Sequence, residues 1–180
     1  MCVTFITGTM KAGKSKRLIE SIRKTYCQDI TVFKPNCDER DGLKVKSRAT
    51  PLYYEAEPFE VRRIEPVGNK DGFIFIDEFQ FIDHEMLEQF IIINRHVSNI
   101  TLAGLTHNYK GEEFKTTRLI REYGDTVTNL RIPCDRCNSK LANHNVLLLN
   151  GKRIVDGEVE KVFCDENYSY DVWCDSCISE

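Results

Sequence analysis

The sequence of 180 residues has no long apolar segment, no internal repeat and no segment of low complexity. A helix that spans a bilayer needs about 20 consecutive apolar residues, so the sequence argues against an integral membrane protein. The first residues, Met1 to Thr4, lack the basic flank and the cleavage site of a secretory signal. We therefore expect a soluble protein in the reducing environment of the cytoplasm.

A large excess of charge of either sign is also missing. The 25 Lys and Arg residues nearly balance the 28 Asp and Glu residues, which gives a formal net charge of −3. This balance argues against broad electrostatic binding to nucleic acid. The length allows one ordinary domain, or a core domain of about 130 residues with a small appendage.

Cysteine, by contrast, is abundant and unevenly placed. Four of the eight cysteines form the pattern C-x2-C-x36-C-x2-C, namely Cys134, Cys137, Cys174 and Cys177. Disulfides are rare in a reducing compartment, so closely spaced pairs favour a metal. Two such pairs supply four thiolates in a tetrahedron, which predicts a closed structural Zn²⁺ site.

The segment between the two cysteine pairs is longer than in an ordinary zinc ribbon. Gly151 and Gly157 near its middle predict a β-hairpin between Val146 and Val162. Cys164 could replace one of the four ligands. Unligated thiols, or disulfides in an oxidising compartment, are the alternatives.

Apolar segments and amphipathic segments alternate along the first 132 residues. The apolar segments predict strands at residues 2–7, 30–34, 73–76, 100–105 and 126–132, and the amphipathic segments predict helices at 15–26, 84–96 and 112–123. Residues 34–72 have weak periodicity and are predicted to hold a strand or two and a loop. The alternation predicts an α/β fold with a parallel sheet flanked by helices. Ligands bind where the strands of such sheets end, so three polar loops, 8–14, 77–81 and 106–111, mark the expected site.

The first of these loops matches the phosphate-binding motif G-x-x-x-x-G-K-[ST] in full. Its residues are Gly8, Thr9, Met10, Lys11, Ala12, Gly13, Lys14 and Ser15. The glycines allow backbone N–H groups to wrap phosphate oxygens, Lys14 reaches the outer phosphates and Ser15 ligates Mg²⁺. The alternative is an ordinary glycine-containing turn before a solvated helix.

An acidic pair follows the third predicted strand. Asp77 is placed to hold the metal beside the phosphate loop, directly or through water. Glu78 points to the other side, where it can position water, as in an NTPase, or accept a proton from a substrate hydroxyl, as in a kinase. Exposed strand ends are often acidic without such a role.

Together these motifs resemble the thymidine kinases that combine a phosphate loop with a zinc-anchored lasso, as in animals, bacteria, poxviruses and phages. The resemblance covers nearly the whole chain. Its motifs are Met10 in the loop, Lys34-Pro35-Asn36-Cys37-Asp38-Glu39-Arg40, Ile76-Asp77-Glu78-Phe79-Gln80-Phe81, Gly104-Leu105 through Tyr109 to Phe114, the two cysteine pairs, and a tyrosine four residues before Cys174.

The resemblance implies a P-loop domain at residues 1–131 and a zinc-binding lasso domain at 132–180. It implies that the loop residues and Asp77 bind ATP and Mg²⁺, that Glu78 is the base for the nucleoside 5′-hydroxyl and that Arg40 assists the transferred phosphoryl group. Met10, Leu105, Tyr109 and Tyr170 would line the nucleoside pocket. It also implies a homotetramer that phosphorylates thymidine, and deoxyuridine as well.

Three departures from the family pattern lie near the expected base site. Phe79 replaces a small residue, His144 replaces a threonine, and Cys164-Asp165-Glu166-Asn167 replaces a Gly-Gly turn. We expect Phe79 to reshape the wall beside Glu78. A kinase for another pyrimidine deoxynucleoside therefore stays open.

Two further functions are possible from the sequence. One is a P-loop NTPase whose zinc ribbon acts on nucleic acid, which would need a basic, aromatic face around the cysteines. That region is instead acidic, with Asp135, Asp156, Glu158, Glu160, Asp165, Glu166, Asp171 and Asp175. The other is a non-catalytic zinc-stapled interaction module, which the intact loop and acidic pair oppose.

Overall fold

The computed structural model describes residues 1–26, 29–37, 42–47, 51–59, 66–67, 71–156 and 167–180. The elements in chain order are β1 (Val3–Gly8), α1 (Lys14–Lys24), β2 (Ile30–Pro35), β3 (Lys44–Lys46), β4 (Tyr53–Glu55), β5 (Glu57–Phe59), β6 (Gly72–Ile76), α2 (His84–Asn94), β7 (Ser98–Ala103), α3 (Arg118–Tyr123), β8 (Thr126–Leu130), β9 (His144–Leu149), β10 (Lys152–Arg153), β11 (Tyr168–Trp173) and α4 (Asp175–Ile178). None of the helices in these ranges is long and apolar enough to cross a membrane.

Six strands form one sheet in the order β5-β2-β6-β7-β1-β8. Every neighbouring pair in it is parallel, so the carboxyl ends of all six strands lie at the same edge. Strand β7 lies between β1 and β6, and the loops after these three strands are therefore adjacent. The predicted α/β fold and the predicted meeting of the three polar loops are confirmed.

Side chains on the two faces of this sheet belong to two separate hydrophobic clusters. On one face, Leu18, Ile19 and Ile22 of α1 are buried in the same cluster as Ile6 and Phe75 of the sheet. On the other, the buried residues of α2, which are Leu87, Phe90 and Ile91, share a cluster with sheet residues that include Ile74, Ile100 and Leu102. Strands covered on both faces are apolar on both faces, which explains the uninterrupted apolar sequence of β6.

The predicted helix at residues 112–123 is wrong in its first half. Backbone N–H groups of this segment bond to the preceding loop: Asn108 N–H donates to the carbonyl of Glu112 and Phe114 N–H to that of Thr106. These hydrogen bonds keep the backbone in a loop conformation as far as Phe114. A 3₁₀ turn at Lys115–Thr117 follows, and α3 begins only at Arg118.

The described residues between 34 and 72 contain three short strands, β3, β4 and β5, where one or two were expected. Strands β3 and β4 form an antiparallel hairpin, and β5 joins the edge of the main sheet beside β2.

The C-terminal lobe, which we define as residues 132–156 and 167–180, contains a small antiparallel sheet in the order β10-β9-β11. The predicted hairpin turn is present at Asn150 and Gly151, which both have left-handed backbones with φ of 49° and 76°. Its returning strand β10 has two residues, and the long partner of β9 is β11 on the other side. Gly157 and Val162 lie outside the described residues.

Candidate active site

The phosphate loop, Gly8 to Ser15, connects the end of β1 to the start of α1. Gly8 has φ of 143°, and a Cβ there would lie 2.4 Å from the carbonyl oxygen of Leu130, so a side chain cannot be accommodated. Gly13 has φ of 85° at the position before the helix. Both conformations favour glycine, which explains why the motif requires it at these two positions.

The ammonium group of Lys14 lies at the centre of this loop. Its Nζ donates a hydrogen bond to the carbonyl oxygen of Thr9 at 2.8 Å. Burial lowers the pKa of Lys14, and the nearby negative charges of Glu78 and Asp77 act in the opposite direction. The cation of the loop and both carboxylates after β6 are therefore close enough to interact.

Asp77 and Ser15 form a pair of oxygen ligands beside Lys14. The Asp77 side chain is buried and accepts a hydrogen bond from the Ser15 hydroxyl. Burial, followed by the charge of Glu78, raises the pKa of Asp77 to about 7. A carboxylate and a hydroxyl are ligands that suit Mg²⁺, and a cation there would favour the ionised carboxylate. These two residues fit the metal role expected of them.

Glu78 is fixed by a side chain that the sequence analysis did not assign to the site. The amide of Gln80 donates through Nε2 to Oε2 of Glu78 at 2.7 Å, and its Oε1 accepts from the backbone N–H of Leu105 at 2.9 Å. Gln80 is buried, and a Cβ on Gly104 would lie 2.4 Å from its Oε1. Gln80 thus ties the acidic loop after β6 to the loop after β7. The signal available in the sequence was the polar Gln80 between the two aromatic residues Phe79 and Phe81.

Phe79 and His144, two of the residues that depart from the family pattern, have side chains that lie away from the site. Phe79 is fully buried and its ring meets that of Phe5 edge-to-face at 5.5 Å, so it belongs to the core and not to the wall beside Glu78. His144 Nε2 lies 2.8 Å from Oδ1 of Asp175, at the edge of the cysteine cluster. The next residue, Asn145, reaches the phosphate loop instead: its Oδ1 accepts from the N–H of Met10 at 2.7 Å.

The other predicted site residues are distributed over two parts of the chain. Met10, Leu105 and Tyr109 lie on the loops after β1 and β7, and Tyr109 is buried while the other two are half-buried. Tyr170 is half-buried on β11, opposite Leu147 of β9. Arg40 and Cys164 lie outside the described residues.

The four cysteines of the two pairs come together, as the spacing predicted. The Sγ atoms of Cys134, Cys137, Cys174 and Cys177 all lie within 4.8 Å of one another. The Sγ atoms of Cys137 and Cys174 are 3.8 Å apart. A tetrahedron with Zn–S bonds of about 2.3 Å places its sulfur atoms about 3.8 Å apart. This cluster could hold a structural zinc ion.

The electrostatics of the cluster also suit a cation. Hydrogen bonds from Ser139, through its side chain and its backbone, lower the pKa of Cys137 to about 6. Burial and hydrogen bonds with the neighbouring thiols raise the pKa of Cys177 to about 12. One thiolate is thus stabilised by donors while a second is strongly disfavoured, and a divalent cation at the centre would balance several thiolates together.

These features define a P-loop protein of the α/β class. Its parallel sheet carries a phosphate loop after β1 and an acidic pair at the same edge, and an appended lobe carries a cysteine cluster. A family model described as thymidine kinase matches residues 1–178. The chain belongs to the thymidine kinase family, whose members are kinases.

Individual relatives agree with the family model. A thymidine kinase of Ureaplasma urealyticum serovar 10 is 32% identical, with 93% of this chain and 78% of the relative covered. A thymidine kinase of Ureaplasma parvum serovar 3 is 30% identical over the same shares.

Proposed function

We propose that this protein transfers the γ-phosphate of ATP to the 5′-hydroxyl of thymidine, and of deoxyuridine, in nucleotide salvage. The observation that carries the proposal is the meeting of Lys14, Asp77 and Glu78 at one edge of the sheet, where their charges act on one another. Membership of the thymidine kinase family supports the choice of reaction, and the names of both relatives support the choice of nucleoside.

In this mechanism the chain's own groups have separate roles. Lys14 and the backbone N–H groups of the loop hold the phosphates of ATP and stabilise the charge of the transferred phosphoryl group. Ser15 and Asp77 would hold Mg²⁺, which supplies further positive charge beside the phosphates. Glu78, held by Gln80, accepts the proton of the 5′-hydroxyl as the hydroxyl oxygen attacks the γ-phosphorus. The bond between that phosphorus and the β–γ bridging oxygen breaks, and ADP leaves with the bonding electrons.

The rest of the proposed site follows the family resemblance. Met10, Leu105, Tyr109 and Tyr170 contact the nucleoside, and Arg40 assists the phosphoryl group. Residues 1–131 form the ATP-binding domain, and 132–180 form the lasso domain that covers the nucleoside and excludes water. The assembly is a homotetramer, so light scattering should give four times the chain mass of 20.9 kDa.

The experiment that tests the reaction is an ADP-release assay with ATP, Mg²⁺ and each of the four DNA deoxynucleosides, and with deoxyuridine. We expect the highest kcat/KM with thymidine, activity with deoxyuridine and little activity with purine deoxynucleosides. A preference for deoxycytidine would instead establish a kinase for another pyrimidine deoxynucleoside. ADP release that needs no nucleoside would contradict the kinase reaction altogether.

The alternative of a nucleic-acid-dependent NTPase has less support. The described part of the C-terminal lobe carries five acidic and four basic residues, so it lacks the excess of positive charge that binding to phosphodiesters needs. Stimulation of ADP release by single-stranded or double-stranded DNA is the result that would favour this alternative.

A further inference from the structure

Lys11 of the phosphate loop is bound by two carboxylates of the C-terminal lobe. Its Nζ lies 2.8 Å from Oδ2 of Asp135 and 3.2 Å from Oδ1 of Asp171. Asp135 lies between the first two cysteines of the cluster, and Asp171 lies on β11, which leads directly to Cys174. The loop cation is therefore attached to both chain segments that supply the cysteines.

The carboxylate of Asp135 is itself fixed within the lobe. Its Oδ2 accepts a hydrogen bond from the backbone N–H of Val172 at 3.0 Å, and the N–H of Asp135 donates to the carbonyl of Val172 at 2.8 Å. Lys11 is thus held by a group that cannot swing away without breaking backbone contacts. The ion pair consequently connects two rigid parts, and exposed pairs without such anchoring contribute little.

Asn145 makes a second and independent connection. It is buried, its Oδ1 accepts from the N–H of Met10 at 2.7 Å, and its Nδ2 donates to the carbonyl of His107 at 2.9 Å. One side chain of β9 thereby joins the loop after β1 to the loop after β7. Removing the amide would leave a partly buried backbone N–H and carbonyl without this partner, which costs stability.

We propose that Lys11 and Asn145 are positioning residues that fasten the phosphate loop to the C-terminal lobe, so that nucleotide binding and metal retention are thermodynamically linked. This inference rests on the proposed function of the loop as the ATP site. A loop already held in one conformation loses less entropy when phosphates bind, so the coupling is positive. Because such coupling is reciprocal, bound ATP strengthens retention of the metal by the same factor.

A natural reporter of this connection lies beside Asp171. Its Oδ1 holds Lys11, while its Oδ2 accepts from Nε1 of Trp173 at 3.4 Å. Trp173 is the one tryptophan in the sequence. A change in the Lys11–Asp171 contact on nucleotide binding therefore changes the surroundings of the only indole in the protein.

The first experiment compares the zinc-loaded wild type with Lys11→Met and with the control Lys44→Met. Lys44 is a good match, because its side chain is 46% exposed against 47% for Lys11. It also forms an ion pair, with Glu55 at 3.3 Å in the β3–β4 hairpin. Calorimetry measures the affinity for ATP with Mg²⁺, and emission of Trp173 is followed in the same titration. In Lys11→Met we expect affinity to fall about fivefold or more and the emission change to disappear. Lys44→Met should keep both.

The second experiment measures the reciprocal effect, as the affinity for zinc in competition with a chelating indicator, with and without ATP. In the wild type we expect ATP to raise the affinity for zinc about fivefold or more, and in Asn145→Leu we expect little change. If Asn145→Leu does not fold, Lys11→Met serves in the same assay, since Lys11 is exposed.

The outcomes separate this inference from the proposed function. Unchanged ATP affinity and an unchanged Trp173 response in Lys11→Met would overturn the inference alone. A lower affinity for zinc in the presence of ATP would also overturn it, because the coupling would have the opposite sign. A wild-type protein that binds no ATP in the calorimeter would overturn the proposed function together with the inference.

Discussion

Glu78 combines an unfavourable backbone with a well-ordered side chain. Its φ of 52° lies in the left-handed region, which costs a residue with a Cβ about 1–2 kcal/mol. The hydrogen bond from Gln80 and the following 3₁₀ turn, in which Phe79 and Gln80 are buried, hold it there. Strain of this kind persists where the surroundings over-determine a conformation. The carboxylate is thus aimed before any substrate arrives.

Replacing Glu78 by glutamine tests its role as the proposed base. Glutamine keeps the size of the side chain but cannot accept the proton, so kcat should fall about 10²-fold or more while ATP binding is retained. Steady-state kinetics and calorimetry measure the two quantities. Glu55→Gln, on the exposed strand β4, is the control and should leave kcat unchanged. Turnover by Glu78→Gln close to that of the wild type would refute the assignment.

Gly104→Ala tests the packing that positions Gln80. The new Cβ would lie 2.4 Å from Oε1 of Gln80 and 2.6 Å from Cδ1 of Phe79, so Gln80 must shift from Leu105 and Glu78. Overpacking of this kind costs about 1–3 kcal/mol of stability. We expect a lower midpoint in thermal denaturation and a lower kcat in the same variant. A variant that matched the wild type in both would mean that Gln80 has no positioning role.

The sequence predicts residues whose role depends on neighbours close along the chain, and it does not predict those that depend on distant ones. Gly8, Gly13 and Lys14 are recognisable because one continuous loop needs them. Asn145 bonds to Met10, which is 135 positions away, so nothing near it in sequence reveals the contact. His144, its neighbour, was the residue that the family comparison singled out.

At the scale of the elements, substitutions in the cysteine cluster test what stabilises the C-terminal lobe. Trp173 is the only other residue of the described chain in the hydrophobic cluster of the four cysteines, so we expect a bound ion to contribute much of the stability of that part of the lobe. Elemental analysis should give about one zinc per chain. Cys177→Ser should lose the metal and the native emission of Trp173.

Cys2→Ser is the matched control for that substitution. Cys2 lies outside the cluster, with its Sγ 3.7 Å from the hydroxyl of Thr4, so serine suits its surroundings. It should keep the full zinc content. A zinc-free wild type that is folded and fully active would show that the cluster does not act as a metal clamp.

The boundaries of the helices show where tertiary hydrogen bonds override the structure that the local sequence pattern predicts. Strong apolar periodicity predicted α1 and α2 within two residues at each end. The segment from Glu112 to Phe114 has a helical pattern as well, but its backbone bonds to Thr106 and Asn108 across a tight loop. Periodicity describes which side chains face the core, and it does not show whether a backbone has a better partner elsewhere.

For the whole molecule, nucleotide binding should appear as stabilisation. At about 100 times its Kd, ATP should add about 2.7 kcal/mol to the free energy of unfolding, which corresponds to a midpoint shift of about 5–10 °C. Differential scanning fluorimetry with ATP and Mg²⁺ measures the shift. Lys14→Ala should abolish the shift. Lys16→Ala should retain it, because Lys16 lies two residues further along α1 on its exposed side. A full shift in Lys14→Ala would exclude the phosphate loop as the binding site.

The position of β1 in the sheet has a consequence for biosynthesis. It leaves the ribosome well before its partners β7 and β8, which are translated about a hundred codons later. Until then the apolar strand has no ladder to join, and a nascent chain in that condition needs shielding by chaperones. Folding of the nucleotide-binding edge must therefore await translation through Leu130, and Asn145 and the second pair of cysteines arrive later still.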